Sequence, residues 1–173
     1  MAQITVNRLT NANIYVNGST MLGKAEEVSL PAVKFMMSEH KALGMIGKME
    51  FPSGIDKLEA KIKWNSFYAD AMKIVGSPFK NLNIQVRANL ETYDSTGRTA
   101  QVPVICYITA AAKDFPLGNF KQHDNVELES NLSVYYVKLA INGGSIVEID
   151  VLANIWKVDG VDQLSTYRAN LGA

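Results

Sequence analysis

Histidine and cysteine are the side chains from which catalytic and metal sites are most often built, and this chain has few of them. His40 and His123 are its two histidines, and Cys106 is its single cysteine. Neither histidine has a second histidine, a cysteine or a carboxylate at a recognised metal-ligand spacing. We therefore expect no metal site and no cofactor, and we interpret both histidines as solvated surface residues.

A nucleophile pair of Cys106 and His123 is the remaining catalytic arrangement, because such residues can meet in space when they are distant in sequence. However, Cys106 alternates with Val104 and Ile108, which places it on the apolar face of a predicted strand. Buried thiols of this kind usually serve as inert packing. An enzyme or a ligand-binding β-barrel would also need an apolar pocket with converging polar groups. The sequence contains no such cluster, so it predicts no catalytic residue and no enzyme.

Composition indicates one folded domain over residues 1–173. The chain is 47% hydrophobic, and its 17 basic and 17 acidic residues give a formal net charge of zero. A basic excess that would grip nucleic acid is absent, and neutrality removes a barrier to self-association. No signal peptide and no apolar stretch near the ~20 residues of a membrane span is evident, and one cysteine favours a reducing compartment.

Alternation of apolar and polar residues dominates the chain and predicts β-strands with one buried face. The clearest segment is 58–64, where Leu58, Ala60, Ile62 and Trp64 alternate with charged residues. Segment 82–90 alternates in the same way, and a turn at Asp94–Gly97 returns it as a hairpin.

The longest predicted strand changes its apolar parity in the middle. Val126, Leu128, Leu132 and Val134 share one parity, and the apolar residues from Tyr135 to Ile141 have the other. Because side chains alternate with period two, this shift predicts a bulge or a change of partner sheet, with one strand serving two sheets.

Two short helices are predicted beside these strands. Ser66 is the expected cap of a helix ending at Val75, and Asp159 that of a helix over about 161–171. The predicted fold is mainly β: two packed antiparallel sheets, as a sandwich or open barrel, with one or two short helices.

Methionines crowd the segment from Phe35 to Glu50, which contains Met36, Met37, Met45 and Met49. Flexible thioether side chains are common at adaptable binding surfaces. The segment also contains Gly44 and Gly47 and has little periodicity. We interpret it as a long loop that contacts another subunit, with ordinary core packing as the alternative.

Short peptides spread over nearly the whole chain resemble, in order and spacing, the major tail tube protein of contractile-tailed bacteriophages. They include 11–18 and 27–31 near the start, Gly44-Met45, the alternating segment 58–64, and 135–139. The ending carries the same resemblance, with 148–150, 159–164, Arg168 and 171–172. The chain is also similar to the tube of R-type bacteriocin particles, which has the same assembly and need not carry DNA.

The resemblance implies hexameric rings that stack into a tube, with strands from each subunit joining into a barrel around the lumen. Its implied partners are further copies of itself, the tail sheath protein, tail initiator or baseplate and terminator proteins, and the tape-measure protein and DNA in the lumen. It implies a place in the virion tail tube, assembly in the bacterial host cytoplasm, and no membrane insertion.

Two groups of residues are expected to carry this function. A polar strand face is the candidate for the lumen, with a solvated outer face as the alternative. The basic face of Lys57, Lys61 and Lys63 is expected on the outside or at a subunit boundary. The luminal candidates are Glu127, Glu129, Asn131 and Ser133. The subunit-interface candidates are Phe35, Met36, Met37, Leu43, Met45, Ile46, Gln163 and Arg168.

Overall fold

A computed structural model describes residues 4–172, which form twelve strands and two short helices. As predicted, the fold is mainly β, with two antiparallel sheets. The strands are β1 Val6–Val16, β2 Ser19–Thr20, β3 Ala25–Ser29, β4 Phe35–His40, β5 Met49–Ile55, β6 Leu58–Trp64, β7 Leu82–Asp94, β8 Gly97–Ala112, β9 Leu128–Ile141, β10 Gly144–Asp150, β11 Ile155–Val158 and β12 Val161–Asp162. The helices are α1 Ala69–Val75 and α2 Ser165–Leu171.

The main sheet has ten strands and branches at β9. Its path runs β12-β11-β10-β9-β8-β7-β1-β2, and β6 leaves this path by pairing with β9 and then with β3. The first half of β9 pairs with β6, from Leu128 opposite Trp64 to Val134 opposite Leu58. The second half pairs with β10 along the same edge. One strand therefore supports two branches of the sheet.

Tyr135 marks the point at which the branches separate. On the β8 side, Val134 pairs with Ala110 and Tyr136 pairs with Thr109, so Tyr135 is an extra, bulged residue. Its carbonyl accepts a hydrogen bond of 3.0 Å from the Val151 N–H, just beyond β10. The parity shift in the sequence thus reports a bulge, and this part of the prediction is confirmed. The partner strand of β9 also changes, but β6 and β10 belong to one sheet, so β9 does not serve two sheets.

The β6 branch curls the sheet into an open barrel around the hydrophobic core. Buried side chains from β1, β6, β7, β8 and β9 form this core, together with Ala71 and Val75 of α1. The barrel stays open between β1 and β3, where a cavity of about 170 Å³ is lined by both strands. The strand at 58–64 presents its four predicted apolar residues to the core. In the strand at 82–90, Leu82, Ile84 and Val86 are buried, whereas Ala88 and Leu90 are partly exposed.

Both helices begin later than the sequence predicts, and neither predicted cap is correct. The helix α1 follows Tyr68, with no side-chain hydrogen bond at its N-terminus, so Ser66 is not its cap. Asp159 has a φ of 50° in the turn between β11 and β12. Pairing in this hairpin takes Val161 and Asp162 into a strand, and α2 starts only at Ser165.

Candidate assembly interface

The second sheet is a hairpin formed by β4 and β5, and it stands outside the barrel. The strands pair from Phe35 opposite Ile55 to His40 opposite Met49. Every residue of β4 is exposed, and in β5 only Ile55 is partly buried. The predicted long loop is therefore shorter, because 35–40 and 49–55 are strands and the loop spans only 41–48.

The base of the hairpin is fixed to the main sheet by an aromatic contact. The ring of Phe35 stacks on that of Trp156 in β11, with the ring centroids 5.4 Å apart and the planes at 28°. The Asp56 N–H also donates to the Lys34 carbonyl at 2.9 Å, which closes the base where β5 leads to β6. The hairpin thus has a defined direction relative to the barrel although its strands are exposed.

The apolar side chains of this hairpin form an exposed surface. Leu43 and Ile46 at the tip are fully exposed, and the four other predicted contact residues of the segment are also exposed, namely Phe35, Met36, Met37 and Met45. An exposed apolar surface of this kind usually marks a binding site. The structure therefore brings six of the predicted interface residues together on one projecting element.

Gln163 and Arg168, the other two interface candidates, bond within their own subunit. Arg168 Nη1 donates to the Asn154 carbonyl at 2.7 Å, and its guanidinium pairs with the Asp162 carboxylate. This hydrogen-bonded pair lowers the pKa of Asp162. Gln163 donates to the Val161 carbonyl at 3.1 Å. These bonds hold α2 against the β11–β12 hairpin, and a role between subunits stays a prediction.

The luminal candidates lie on the side of β9 opposite its buried face, with Glu127 and Glu129 exposed and Asn131 and Ser133 partly buried. Glu127 precedes the strand, and Glu129, Asn131 and Ser133 alternate with buried Leu128, Ser130, Leu132 and Val134. Asn131 donates from Nδ2 to the Asp114 carboxylate at 2.6 Å. Sequence alternation identified this face correctly.

The prediction that Lys57, Lys61 and Lys63 lie on a different face from these acidic residues is wrong. Because β6 and β9 are neighbours, Lys61 lies beside Glu129, with Nζ and Oε1 2.8 Å apart. Lys63 Nζ lies 3.1 Å from Glu127 Oε2 and 3.2 Å from Glu26 Oε2. The acids and the lysines therefore share one face, on which opposite charges are paired.

Glu59 completes the charge balance of this face. Lys113 and Lys57 both donate to its carboxylate, and these hydrogen bonds lower the pKa of Glu59 to about 2. Lys113 had not been predicted to belong to this face, because it follows β8 and reaches Glu59 across β9. The face carries charges of both signs and presents no unpaired basic patch.

The outer edge of β1 is a second feature that the sequence analysis missed. One edge of β1 pairs with β7 over nearly its whole length, but the other pairs with β2 only at Tyr15 and Val16. Two backbone N–H groups, those of Ala12 and Ile14, bond at 2.8 Å to the side chains of Asn11 and Asn13. An open edge of this length is available to pair with another strand. In the single subunit, the asparagine side chains bond to some of its backbone N–H groups. The alternating asparagines of β1 are the sequence signal.

The groups considered for catalysis are far from an activated arrangement. Cys106 is buried in the core, and burial raises the pKa of its thiol to about 11, the opposite of the shift that makes a nucleophile. His123 is exposed in the loop before β9.

The described part of the chain has neither a cluster of metal-binding side chains nor a membrane-spanning helix. Residues 4–172 contain no group of three or more histidine, cysteine and acidic side chains placed to hold a metal ion. Within the same residues, neither helix has the length and apolar character needed to cross a bilayer.

The fold and its exposed elements define a class: a β-rich subunit whose projecting apolar hairpin and open strand edge suit assembly with further copies. Residues 6–172 match the family model of phage tail tube protein FII. The chain belongs to this family, and it is a structural subunit of a tail tube. The resemblance noted in the sequence is confirmed.

Two known proteins illustrate the relationship. The chain is 27% identical to the tail tube protein of Escherichia phage P2 over 175 residues, which covers 95% of this chain and 96% of that protein. It also shares its fold with a chain in the sheath–tube complex of an extracellular contractile injection system in the extended state. That structural match has a TM-score of 0.56 and 12% identity, covering 75% of this chain and 87% of the other.

Proposed function

We propose that residues 1–173 act as one tail-tube domain that forms hexameric rings, and that these rings stack into the inner tube of a contractile tail. The observation that carries this proposal is the open outer edge of β1, which pairs with β2 at Tyr15 and Val16 and, from Val6 to Asn13, with no strand among residues 4–172. A strand from a neighbouring copy would complete the ladder there, so that strands of successive subunits form one closed barrel around the lumen. The protein acts through assembly and has no enzymatic activity.

The lumen of this tube conducts DNA during infection, and the face of Glu127, Glu129, Asn131 and Ser133 lines it. A channel must let its cargo slide, and unpaired basic side chains would instead bind the phosphates. The ion pairs of Lys61 with Glu129 and of Lys63 with Glu127 support this role, because they neutralise the lysines next to the proposed lumen.

The outer surface of the tube carries the contractile sheath, and its ends meet the initiator or baseplate and terminator proteins. The tape-measure protein occupies the lumen before DNA does. The subunit is assembled in the cytoplasm of the bacterial host and does not insert into a membrane. The sheath–tube complex that shares this fold supports a sheath partner.

A second candidate function is the tube of a contractile bacteriocin or secretion particle that carries no DNA. The fold shared with an extracellular contractile injection system favours this alternative. Both functions predict the same ring and tube, and they differ in whether DNA must pass through the lumen.

Electron microscopy of the purified protein at rising concentration, with its mass in solution, tests the assembly. We expect tubes or stacked rings with an open centre. A protein that stays monomeric at every concentration, and that also fails to add to preformed baseplates, would contradict the proposal.

The luminal face is tested by charge reversal in assembled tubes. Glu127→Lys with Glu129→Lys should make tubes retain short DNA duplexes, with retention lost as salt rises. The matched control is Asp70→Lys with Asp159→Lys, which makes the same charge change at exposed residues outside β3, β6 and β9. Equal retention by both double variants would remove these residues from the lumen.

A further inference from the structure

Leu43 and Ile46, the most exposed large apolar side chains between residues 4 and 172, and an apolar groove lie at opposite ends of the same hairpin. The groove lies between the hairpin base, the end of β10, β11 and α2, and it has a volume of about 480 Å³. Its apolar lining includes Phe35, Ile149, Ile155, Trp156, Leu164 and Tyr167. Leu43 and Ile46 at the hairpin tip are fully exposed.

The helix α2, which forms one wall of this groove, is poorly covered within the subunit. It has seven residues, none of them buried, and Tyr167 and Leu171 are exposed. A helix of this length is not stable alone and depends on packing. Its contacts through Arg168 fix one side only, so the wall facing the groove has apolar surface left to bury.

The charges of the two elements are opposite. The tip loop, residues 41–48, contains Lys41 and Lys48 and no acidic residue. Lys48 pairs with Glu39, whereas Lys41 makes no ion pair with any residue between 4 and 172. Asp150 is the one charged residue lining the groove in the described part of the chain, and its carboxylate accepts only the N–H groups of Leu152 and Ala153.

The tip cannot enter the groove of its own subunit. Phe35 lines the groove at the start of β4, and the tip loop begins after His40. Five residue steps of extended strand at about 3.4 Å each separate the loop from the groove by roughly 17 Å. Any contact between the two must therefore join different copies of the chain.

We propose that the hairpin tip of one subunit inserts Leu43 and Ile46 into the groove between the hairpin base and α2 of a second subunit, with Lys41 next to Asp150. This inference rests on the proposed tube function. It names the two surfaces through which copies join, the hairpin tip of one and the groove of the next. The two surfaces differ, so each bound copy still offers a free tip or a free groove. Such a heterologous contact closes into a ring where the rotation between copies allows it, and otherwise builds an open-ended stack.

Disulfide trapping tests the contact directly. Ile46→Cys is mixed with Tyr167→Cys under mild oxidation, and the buried Cys106 stays in place in both. We expect mixed disulfides at least tenfold faster than in a mixture of Ile46→Cys with Gln122→Cys, a control cysteine at an exposed residue outside the groove. Equal rates would overturn the inference.

A charge variant tests the same contact without cysteines. Lys41→Glu should raise the protein concentration needed for assembly at least tenfold, and Lys80→Glu, at another exposed lysine, should leave it unchanged. Identical assembly of the two variants would contradict the placement of Lys41 next to Asp150.

The outcomes separate this inference from the tube function. Tubes that form without the Ile46–Tyr167 cross-link would overturn the inference and leave the tube function standing. Cross-linked chains of copies that never form tubes would support the contact and count against the tube function.

Discussion

Trp64 donates its indole N–H to the Ser130 hydroxyl across 3.0 Å in the middle of the core. Trp64 is the last residue of β6. Ser130 lies on β9, directly opposite Ile62 of β6. Both side chains are almost fully buried, and each supplies the hydrogen-bond partner that the other's buried polar group needs. This bond ties the β6 branch to the strand that carries it.

Ser130→Ala should destabilise the protein by about 1–3 kcal/mol, because it leaves the buried Trp64 N–H without a partner. At roughly 2–4 °C per kcal/mol for a chain of this size, the melting temperature should fall measurably. Urea unfolding followed by tryptophan fluorescence measures the change. Ser133→Ala, on the opposite face of the same strand, should stay within about 0.5 kcal/mol of the parent. Equal effects of the two variants would show that the hydrogen bond contributes little.

Gly118→Ala should be more destabilising than Gly160→Ala, although both glycines have nearly the same backbone conformation, with φ of 74° and 77°. A Cβ at Gly118 would lie 2.7 Å from side-chain carbons of both Leu128 and Val126, whereas one at Gly160 meets nothing within 4 Å. Both variants carry the cost of a positive φ, and only Gly118→Ala adds overpacking of about 1–3 kcal/mol. Urea unfolding of the pair isolates the packing cost, and similar midpoints would contradict the close packing of this loop.

Glu91 should make stability sensitive to acid. It is 7% exposed, and its carboxylate accepts hydrogen bonds from Tyr93, Gln101 and Arg98. These bonds, led by that of Tyr93, lower the pKa of Glu91 below its ordinary value. A carboxylate with a lowered folded pKa stabilises the fold above its unfolded pKa of about 4.3, and this stabilisation is lost as the pH falls through the folded value.

Glu91→Gln should therefore cost the most stability at pH 6–8, and the difference from the parent should shrink below about pH 4.3. Urea unfolding at a series of pH values measures it. Glu50→Gln, at an exposed acid of the hairpin, is the control. A difference that stays constant from pH 7 to pH 3 would mean that the charge of Glu91 does not contribute.

The sequence predicts strands well wherever one face is buried. The parity shift around Tyr135 identified the bulge, and the alternation at 58–64 identified β6 with its core face. These signals are strong because burial forces apolar residues to recur at the period of the strand.

The strand β4 was missed because it lacks a buried face. Its residues are exposed on both faces, so Phe35, Met36 and Met37 follow one another without alternation. A strand without a buried face leaves no period in the sequence, and its pairing with β5 is visible only in the structure.

The shared face of Lys61 and Glu129 could not be predicted either. Alternation shows which residues of one strand lie together, but it does not show which strands are neighbours. The two residues are 68 positions apart, and their contact depends on the pairing of β6 with β9. The predicted cap at Asp159 failed because a hairpin of two residue pairs competes with the helix for Val161 and Asp162.

The branch point at Tyr135 has a consequence for how the subunit comes apart. The two tryptophans of the chain lie on different branches, Trp64 on β6 and Trp156 on β11. Both branches are hydrogen-bonded to successive halves of β9, so unfolding of β9 removes the supporting strand of both. We therefore expect one cooperative transition, in which the emission of Trp64 and that of Trp156 change together.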